Sequence, residues 1–278
     1  MSDIVAERLG AVLLVHFNRP DRGNAIGGTL LRDLAEVFDE ARRDDSVHVV
    51  VTTGEGKNYC VGADIADLEK AVDVPARELL ASNKIGGDKG VAPLSFHEMQ
   101  VDDLGNAGRV VSRLWALDKP TIAAVNGAAV GGGFAIALLH DIRIAAENTR
   151  IGTAFTSLGL APELGASYLL PRIVGSSVAA DLLLRSEILP ADRALDVGLV
   201  SEVVPVGQLT ARALDLAEQI ARKPPLATRW TKRLLRTSAT GDFTDQLRHE
   251  HLAQVNLFDQ KATREAIRET VNRLGKGG

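Results

Sequence analysis

Apolar residues follow two spacings along residues 1–205, and these spacings predict alternating strands and helices. Short, nearly continuous apolar runs are typical of strands that are buried on both faces of a sheet. Apolar residues that recur every three or four positions are typical of amphipathic helices. A strand, a glycine-rich turn and a helix in succession indicate an α/β fold with a parallel sheet. The predicted strands are 12–17, 47–52, 121–125 and 142–146, and the predicted helices are 28–43, 75–83, 99–117 and 132–140.

The C-terminal part of the chain has a different pattern, because its helical stretches have no strand between them. We therefore expect a core over residues 1–205 and a helical region over residues 206–278. Such helices pack either across a subunit boundary or only onto their own domain, and the pattern leaves both arrangements open. The predicted helices are 207–222, 225–237, 242–258 and 260–274, and the apolar positions for a buried face include Phe243, Leu247, Val255 and Phe258.

Composition narrows the functional class. The 278 residues are 45% hydrophobic and carry a formal net charge of −4, so neither nucleic acid nor an anionic membrane is an expected partner. A single cysteine, Cys60, excludes an internal disulfide. We find no signal-peptide pattern, no apolar run long enough to span a bilayer and no histidine cluster at metal-ligand spacing. We expect a soluble, cytoplasmic protein without a metal.

Two glycine-centred segments, 58–65 and 126–134, carry the strongest chemical signal. Each follows an apolar, β-branched run and opens a predicted helix, where backbone N–H groups have no helical acceptor. Two such N–H groups aimed at one point can hold a developing oxyanion. A glycine triplet such as Gly131–Gly133 is also compatible with a turn where two backbones merely touch. Each segment alone is therefore a weak signal.

Taken together and in this order, the two segments resemble the crotonase (enoyl-CoA hydratase/isomerase) superfamily. The resemblance implies an α/β fold of the crotonase type, a spiral of repeated ββα units with a C-terminal helical region, assembled as trimers or dimers of trimers. It also implies an acyl-coenzyme A thioester as the substrate and no separate cofactor, because coenzyme A enters as part of the substrate. Further matching motifs are Asn18-Arg19-Pro20, Asn24-Ala25, Ala124-Val125-Asn126-Gly127, Asp141–Ala145, Leu170–Gly175 and Ala191–Val204.

The same resemblance assigns roles to individual residues. It implies that the backbone N–H groups of Ala63 and Gly132 bind the thioester oxygen, which becomes enolate-like when a proton leaves the adjacent carbon. Arg22 is the residue expected to reach a coenzyme A phosphate, although a solvated arginine fits this position nearly as well. The other positions expected to line the substrate are Val61, Gly62, Asp64, Ile65, Gly131, Phe155 and Leu160.

The acid–base residues depart from the pattern of the family hydratases. Those enzymes use two glutamates, and the matching positions here are Ala135 and Phe155, neither of which can transfer a proton. Glu163 offers a different carboxylate, at a position where family isomerases carry a single acid. One carboxylate is enough for a 1,3-proton shift, and apolar neighbours such as Phe134 and Leu160 are expected to raise its pKa. The alternative is an acid that only favours the dipole of the following helix.

Three hypotheses about function follow. The first is enoyl-CoA double-bond isomerisation with Glu163 as the catalytic base. The second is hydration of an enoyl thioester, using Glu163 and a group from residues 70–98, for which His97 and Glu98 are candidates. The third is a thioester-binding protein without turnover. Acyl chain length and the choice between trimer and hexamer do not follow from the sequence.

Overall fold

The structure is a computed structural model that describes residues 2–74, 97 and 101–275. Its main sheet has six strands in the order β1-β2-β3-β4-β6-β9, and a second sheet has the order β5-β7-β8. β1 is antiparallel to β2, and the remaining pairs of the main sheet are parallel. The strands are β1 (Ile4–Leu9), β2 (Val12–Phe17), β3 (Val49–Gly54), β4 (Thr121–Val125), β5 (Ala128–Val130), β6 (Ile142–Ala146), β7 (Arg150–Gly152), β8 (Ile188–Pro190) and β9 (Glu202–Val204).

Helices cover the sheets and make up the whole C-terminal part of the described chain. In chain order they are α1 (Leu30–Arg43), α2 (Ile65–Ala71), α3 (Gly105–Trp115), α4 (Gly132–Leu138), α5 (Ala166–Val174), α6 (Ser176–Arg185), α7 (Ala191–Asp196), α8 (Leu209–Ala221), α9 (Pro225–Thr237), α10 (Phe243–Phe258) and α11 (Lys261–Gly275). No helix within the described residues has the length and apolarity needed to cross a bilayer.

The main sheet is buried on both faces, as the continuous apolar runs predicted. Every residue of β3 and of β4 is buried. One face packs against α1, whose Leu30, Leu34 and Phe38 recur at four-residue spacing and belong to the larger apolar core. The other face packs against α8. The predicted boundary near residue 206 therefore precedes a helix that completes the core, and α9 follows it with the buried Lys232, which donates to the Lys119 carbonyl at 2.7 Å.

Most predicted elements occur at or near their expected residues. The strand expected at 47–52 is found at Val49–Gly54, and the helix expected at 132–140 ends at Leu138. The helix expected at 99–117 is shorter, at Gly105–Trp115, whereas the one expected at 75–83 lies outside the described residues. The sequence pattern did not predict β1, because five of its six residues are exposed, nor four strands of three residues each, β5, β7, β8 and β9.

Candidate active site

The two glycine-centred segments lie against each other, although about 70 residues separate them in sequence. The Cys60 N–H donates to the Ala128 carbonyl at 3.0 Å, and the Val130 N–H donates back to the Cys60 carbonyl at 3.0 Å. These two bonds form an isolated parallel bridge between Cys60 and Ala129. The bridge fixes the start of α4 beside the residues that precede α2.

Glycine is required where these segments touch. A Cβ built on Gly133 would lie 2.0 Å from the Cys60 carbonyl oxygen, which no side chain permits. A Cβ on Gly62 would lie 2.8 Å from the Val130 carbonyl oxygen and 3.5 Å from the Gly132 nitrogen, and Gly62 has a φ of +93°. The glycine pattern thus reflects both a packing contact and the proximity of the two predicted donors.

Each segment leaves one N–H group without an acceptor. Ile26 donates to the Gly62 carbonyl at 2.7 Å and accepts from the Asp64 N–H at 3.0 Å, so the bridge uses the residues on either side of Ala63. Gly132 is the first residue of α4 and has no helical acceptor. Within the described residues, neither the Ala63 N–H nor the Gly132 N–H makes a hydrogen bond. That they share one substrate oxygen stays a prediction, and this geometry supports it.

Three asparagine side chains hold the backbone of this region. These residues belong to the sequence motifs, but this role was not predicted from them. Asn126 accepts from the Gly54 N–H at 2.9 Å and donates to the Gly54 carbonyl at 2.8 Å. Asn58 accepts from the Ala128 N–H at 3.2 Å, while Asn24 donates to the Asn58 carbonyl at 2.6 Å. Asn24 is fully buried with a φ of +58°, a backbone conformation that asparagine tolerates better than most residues. An asparagine beside a glycine turn was the available signal.

Glu163 lies close in sequence to a wall of the same site. A Cβ built on Gly132 would lie 2.5 Å from Ile26 Cδ1 and 3.3 Å from Leu164 Cδ1, so both side chains border this residue. Leu164 is itself buried and has a φ of +55°. The turn at Leu164 therefore connects the carboxylate-bearing residue directly to a side chain that packs on Gly132.

The environment of Glu163 differs from that of an ordinary surface acid. Surrounding protein atoms desolvate the carboxyl group and raise its pKa above the usual value, yet the residue is accessible to solvent in the single subunit. The carboxyl group is therefore partly desolvated while the residue keeps contact with solvent. No described residue pairs with the Glu163 carboxylate, and the bond that joins Glu163 to the first turn of α5 is a backbone one, from the Ala166 N–H to the Glu163 carbonyl at 3.0 Å. A carboxylate without a partner is available for a chemical role, and its place just before α5 is also the one that the helix-dipole alternative requires.

The two positions where family hydratases carry glutamate are apolar and buried. Ala135 is fully buried within α4, and Phe155 is 5% exposed. Among the other predicted substrate-lining residues, Val61, Ile65 and Leu160 are exposed. Gly131 has a φ of +56° and precedes α4. The exposure of these apolar residues is compatible with contact to a substrate. That contact stays a prediction.

Asp64 and Arg22 have contacts that bear on their predicted roles. The Asp64 carboxylate accepts from the Ala66 N–H at 3.2 Å, which caps α2, and pairs with Arg19 at 3.1 Å. It also pairs with Arg22 at 3.4 Å, whose side chain is 59% exposed. Asp64 is therefore held in protein contacts, whereas Arg22 has one such contact, to Asp64, on a largely exposed side chain.

The structure gives no support for a chemical role of Cys60, and it describes little of the two residues considered as a second acid. Burial raises the pKa of the Cys60 thiol to about 12, so it packs between the two segments and is not a nucleophile. His97 is described as a single helical residue, and Glu98 lies outside the described residues. A second proton-transfer group from this stretch is therefore a hypothesis that rests on the sequence.

Comparison with known proteins identifies the class. The family model for enoyl-CoA hydratase/isomerase matches residues 7–81 and 98–275. The chain belongs to this family, and the crotonase-type fold expected from its motifs is confirmed. An enoyl-CoA hydratase from Bacillus anthracis superposes with a TM-score of 0.83 at 27% identity, covering 98% of this chain and 97% of that one.

Two curated relatives illustrate the range of reactions in this family. The short-chain-enoyl-CoA hydratase of Clostridium acetobutylicum is 32% identical over 268 residues, covering 96% of this chain and 94% of the relative. The 1,2-epoxyphenylacetyl-CoA isomerase of Escherichia coli is 33% identical over 236 residues, covering 85% and 82%. Similarity to a hydratase and to an isomerase at nearly equal identity leaves the reaction to be argued from the residues of the site.

Proposed function

We propose that the protein isomerises the double bond of an enoyl-CoA thioester, with Glu163 as the only proton-transfer residue. The observation that carries this proposal is the combination of one unpaired carboxyl group of raised pKa with apolar residues at both hydratase acid positions, Ala135 and Phe155. Membership of the family supports an acyl-CoA thioester as the substrate.

The reaction needs one base and one oxyanion site. The Glu163 carboxylate removes a proton from C2 of a 3-enoyl thioester, and the electron pair of the C–H bond becomes a dienolate. The Ala63 and Gly132 N–H groups donate to the thioester oxygen, where the negative charge develops. The protonated Glu163 then returns the same proton to C4, the double bond moves to C2–C3 and the oxygen regains its carbonyl bond. Atoms and charge balance without water or a second acid.

The raised pKa of Glu163 serves both halves of this cycle. A carboxylate with a pKa nearer to that of the working solution is a stronger base for the carbon acid, and its protonated form persists long enough to deliver the proton. The lack of a described cationic partner also keeps the carboxylate basic, since such a partner would lower its pKa.

Conversion of a 3-enoyl-CoA to a 2-enoyl-CoA tests the proposal directly. We expect turnover by the unaltered protein and its loss in Glu163→Gln, which preserves shape and removes the base. Glu218→Gln is the matched control, because Glu218 lies on α8 in an exposed pair with Arg222. Isomerisation that survives Glu163→Gln at the rate of the control would refute the role of Glu163.

Hydration is the second candidate, and one observation favours it. The solvent access of Glu163 would let water reach the acyl group, and the relative from Clostridium acetobutylicum is named a hydratase. Rapid addition of water to a 2-enoyl thioester, unchanged by Glu163→Gln, would replace the isomerase proposal. Tight coenzyme A binding with no turnover at any acyl length would instead indicate the thioester-binding protein.

We also propose that the C-terminal helices join subunits as a trimer or a dimer of trimers. The apolar side chains that the sequence predicted to be covered are open in the single subunit: Phe243 is 77% exposed and Phe258 is 58% exposed. Sedimentation equilibrium of the full chain distinguishes these assemblies from a monomer. The expected cytoplasmic location is likewise a proposal.

A further inference from the structure

A buried chain of hydrogen bonds runs behind the proposed oxyanion hole. The Tyr59 hydroxyl lies 2.8 Å from Thr52 Oγ1, and Thr52 Oγ1 lies 2.9 Å from His140 Nε2. The other ring nitrogen, His140 Nδ1, lies 3.0 Å from the Ile136 carbonyl oxygen. Tyr59 and Thr52 are fully buried and His140 is 5% exposed, so water has little access to the donors and acceptors of these bonds.

Chemistry fixes the direction of every bond in this chain. The Ile136 carbonyl can only accept, so His140 Nδ1 carries the proton and donates. Burial lowers the pKa of His140 to about 4, although Asp141 acts to raise that pKa and Lys232 and Arg143 act to lower it. The ring is therefore neutral at pH 7, and Nε2 accepts from the Thr52 hydroxyl. Thr52 then accepts from the Tyr59 hydroxyl, whose own pKa is raised by burial.

One end of the chain lies in the first glycine-centred segment, and the other lies in α4, the helix that the second segment opens. Tyr59 directly precedes Cys60, whose backbone pairs with the second segment, and is four residues before Ala63. Ile136 lies one turn after Gly132 in α4. Thr52 is in β3, between them. The Phe17 ring packs edge-on against Tyr59 at 4.9 Å, and the Phe38 ring packs edge-on against His140 at 6.2 Å, which restricts both side chains.

We propose that Thr52 is a positioning residue for the oxyanion hole, linking Tyr59 to His140 so that the Ala63 and Gly132 N–H groups keep one separation. An apolar core residue would fill the same space, but it would impose no direction on its neighbours. A hydroxyl that donates on one side and accepts on the other ties the first segment, through β3, to the helix that begins at Gly132. The proposal rests on the proposed thioester site and adds the device that holds its two donors.

The test compares substitutions that remove a hydroxyl with one that keeps it. Thr52→Val removes both bonds, whereas Thr52→Ser retains them and is the rescue variant. Tyr59→Phe removes one bond and leaves Thr52 paired with His140. Thr121→Val is the matched control, because Thr121 is a buried threonine on the neighbouring strand whose hydroxyl donates to Asp141 at 2.9 Å. Thr121 begins β4, at the opposite end of that strand from the hole.

The main readout is the fraction of bound acetoacetyl-CoA that is ionised to its enolate, measured by ultraviolet absorbance at fixed pH. This β-ketoacyl thioester places negative charge on the thioester oxygen without any turnover. We expect Thr52→Val to lower the enolate-to-keto ratio and kcat by about tenfold with KM changed less than twofold. Thr52→Ser should match the unaltered protein, Tyr59→Phe should give a smaller loss, and Thr121→Val should lower only the thermal unfolding midpoint.

The outcomes separate this proposal from the proposed function. An unaltered protein that ionises acetoacetyl-CoA but isomerises nothing would end the isomerase proposal and leave the Thr52 experiment valid. If Thr52→Val folds and ionises acetoacetyl-CoA like Thr121→Val, Thr52 has only a structural role and the inference is overturned. Should Thr52→Val fail to fold, Tyr59→Phe decides: an unchanged enolate ratio overturns the inference and a lowered one supports it.

Discussion

The proposed site joins two regions that are built in opposite ways. The oxyanion-hole region consists of backbone N–H groups fixed by a two-bond bridge, three asparagine side chains and glycines that tolerate no Cβ. The Glu163 region consists of one carboxyl group that no described residue contacts by a hydrogen bond or ion pair. In the proposed reaction, fixed backbone geometry would bind the developing charge, and an unpaired group of raised pKa would transfer the proton.

Replacing the base is expected to have the largest effect. Glu163→Gln should lower kcat for isomerisation by about 10³-fold, within the range that a general base contributes. It should not weaken the fold. Because the pKa of Glu163 is raised by burial, its ionisation opposes folding as pH rises from the ordinary glutamate pKa to the folded value, and glutamine removes that opposition. A thermal midpoint that drops at pH 7 would contradict this account of the Glu163 region.

Separating the two segments is expected to affect both stability and activity. Gly133→Ala introduces a Cβ that would lie 2.0 Å from the Cys60 carbonyl oxygen, so the backbones must move apart. We expect a loss of about 3 kcal/mol in the free energy of unfolding and about 100-fold in kcat. Urea unfolding and initial rates measure the two effects. The control is Gly207→Ala, where a Cβ meets no atom within 4 Å.

Acid should weaken the oxyanion-hole region through His140. Its folded pKa is lowered to about 4 from an ordinary value of 6.5, so the unfolded chain binds the extra proton first as pH falls. Stability from neutral His140 is complete above pH 6.5 and is lost progressively down to pH 4. Between pH 7 and pH 5 this loss is about 2 kcal/mol, by the constant of 1.36 kcal/mol per pKa unit. His140→Asn should flatten the pH dependence, while His249→Asn, an exposed control, should not.

The smallest effect is expected at the rim of the site. Arg22 is 59% exposed and pairs with Asp64, which is already held by Arg19. Arg22→Ala should raise KM for the coenzyme A thioester by about two- to fivefold and leave kcat unchanged, because an exposed charge contributes little to binding. Binding of the thioester at increasing salt concentration checks it. An unchanged KM would show that Arg22 is only a solvated residue.

Local pattern was sufficient for the parts of the fold that depend on near neighbours. Continuous apolarity predicted β2, β4 and β6, and glycine spacing predicted the approach of the two segments. The three-residue strands were not predictable, because they are defined by partners far along the chain; β5, for example, pairs with β7. The Tyr59–Thr52–His140 hydrogen bonds were also not predictable, because Thr52 and His140 are 88 positions apart in the sequence.

The candidate site followed a similar division. Ala63, Gly132 and Glu163 were all predicted from the resemblance of their motifs to the family. The burial that changes the pKa of Glu163 and the occupation of Asp64 by Arg19 depend on tertiary contacts that no spacing encodes. The packing of α8 on the main sheet was also not predictable, because the sequence pattern of an amphipathic helix does not specify which face of which sheet it covers.

Because Cys60 is buried, its chemical labelling can report how often the two glycine-centred segments separate. The chain has one thiol, fully buried at the seam between the two segments, with a pKa of about 12. A thiol-directed reagent can therefore modify the native protein only after that seam parts. The labelling rate at low denaturant measures how often the seam opens, and protection by a bound thioester would report how firmly the ligand keeps it shut.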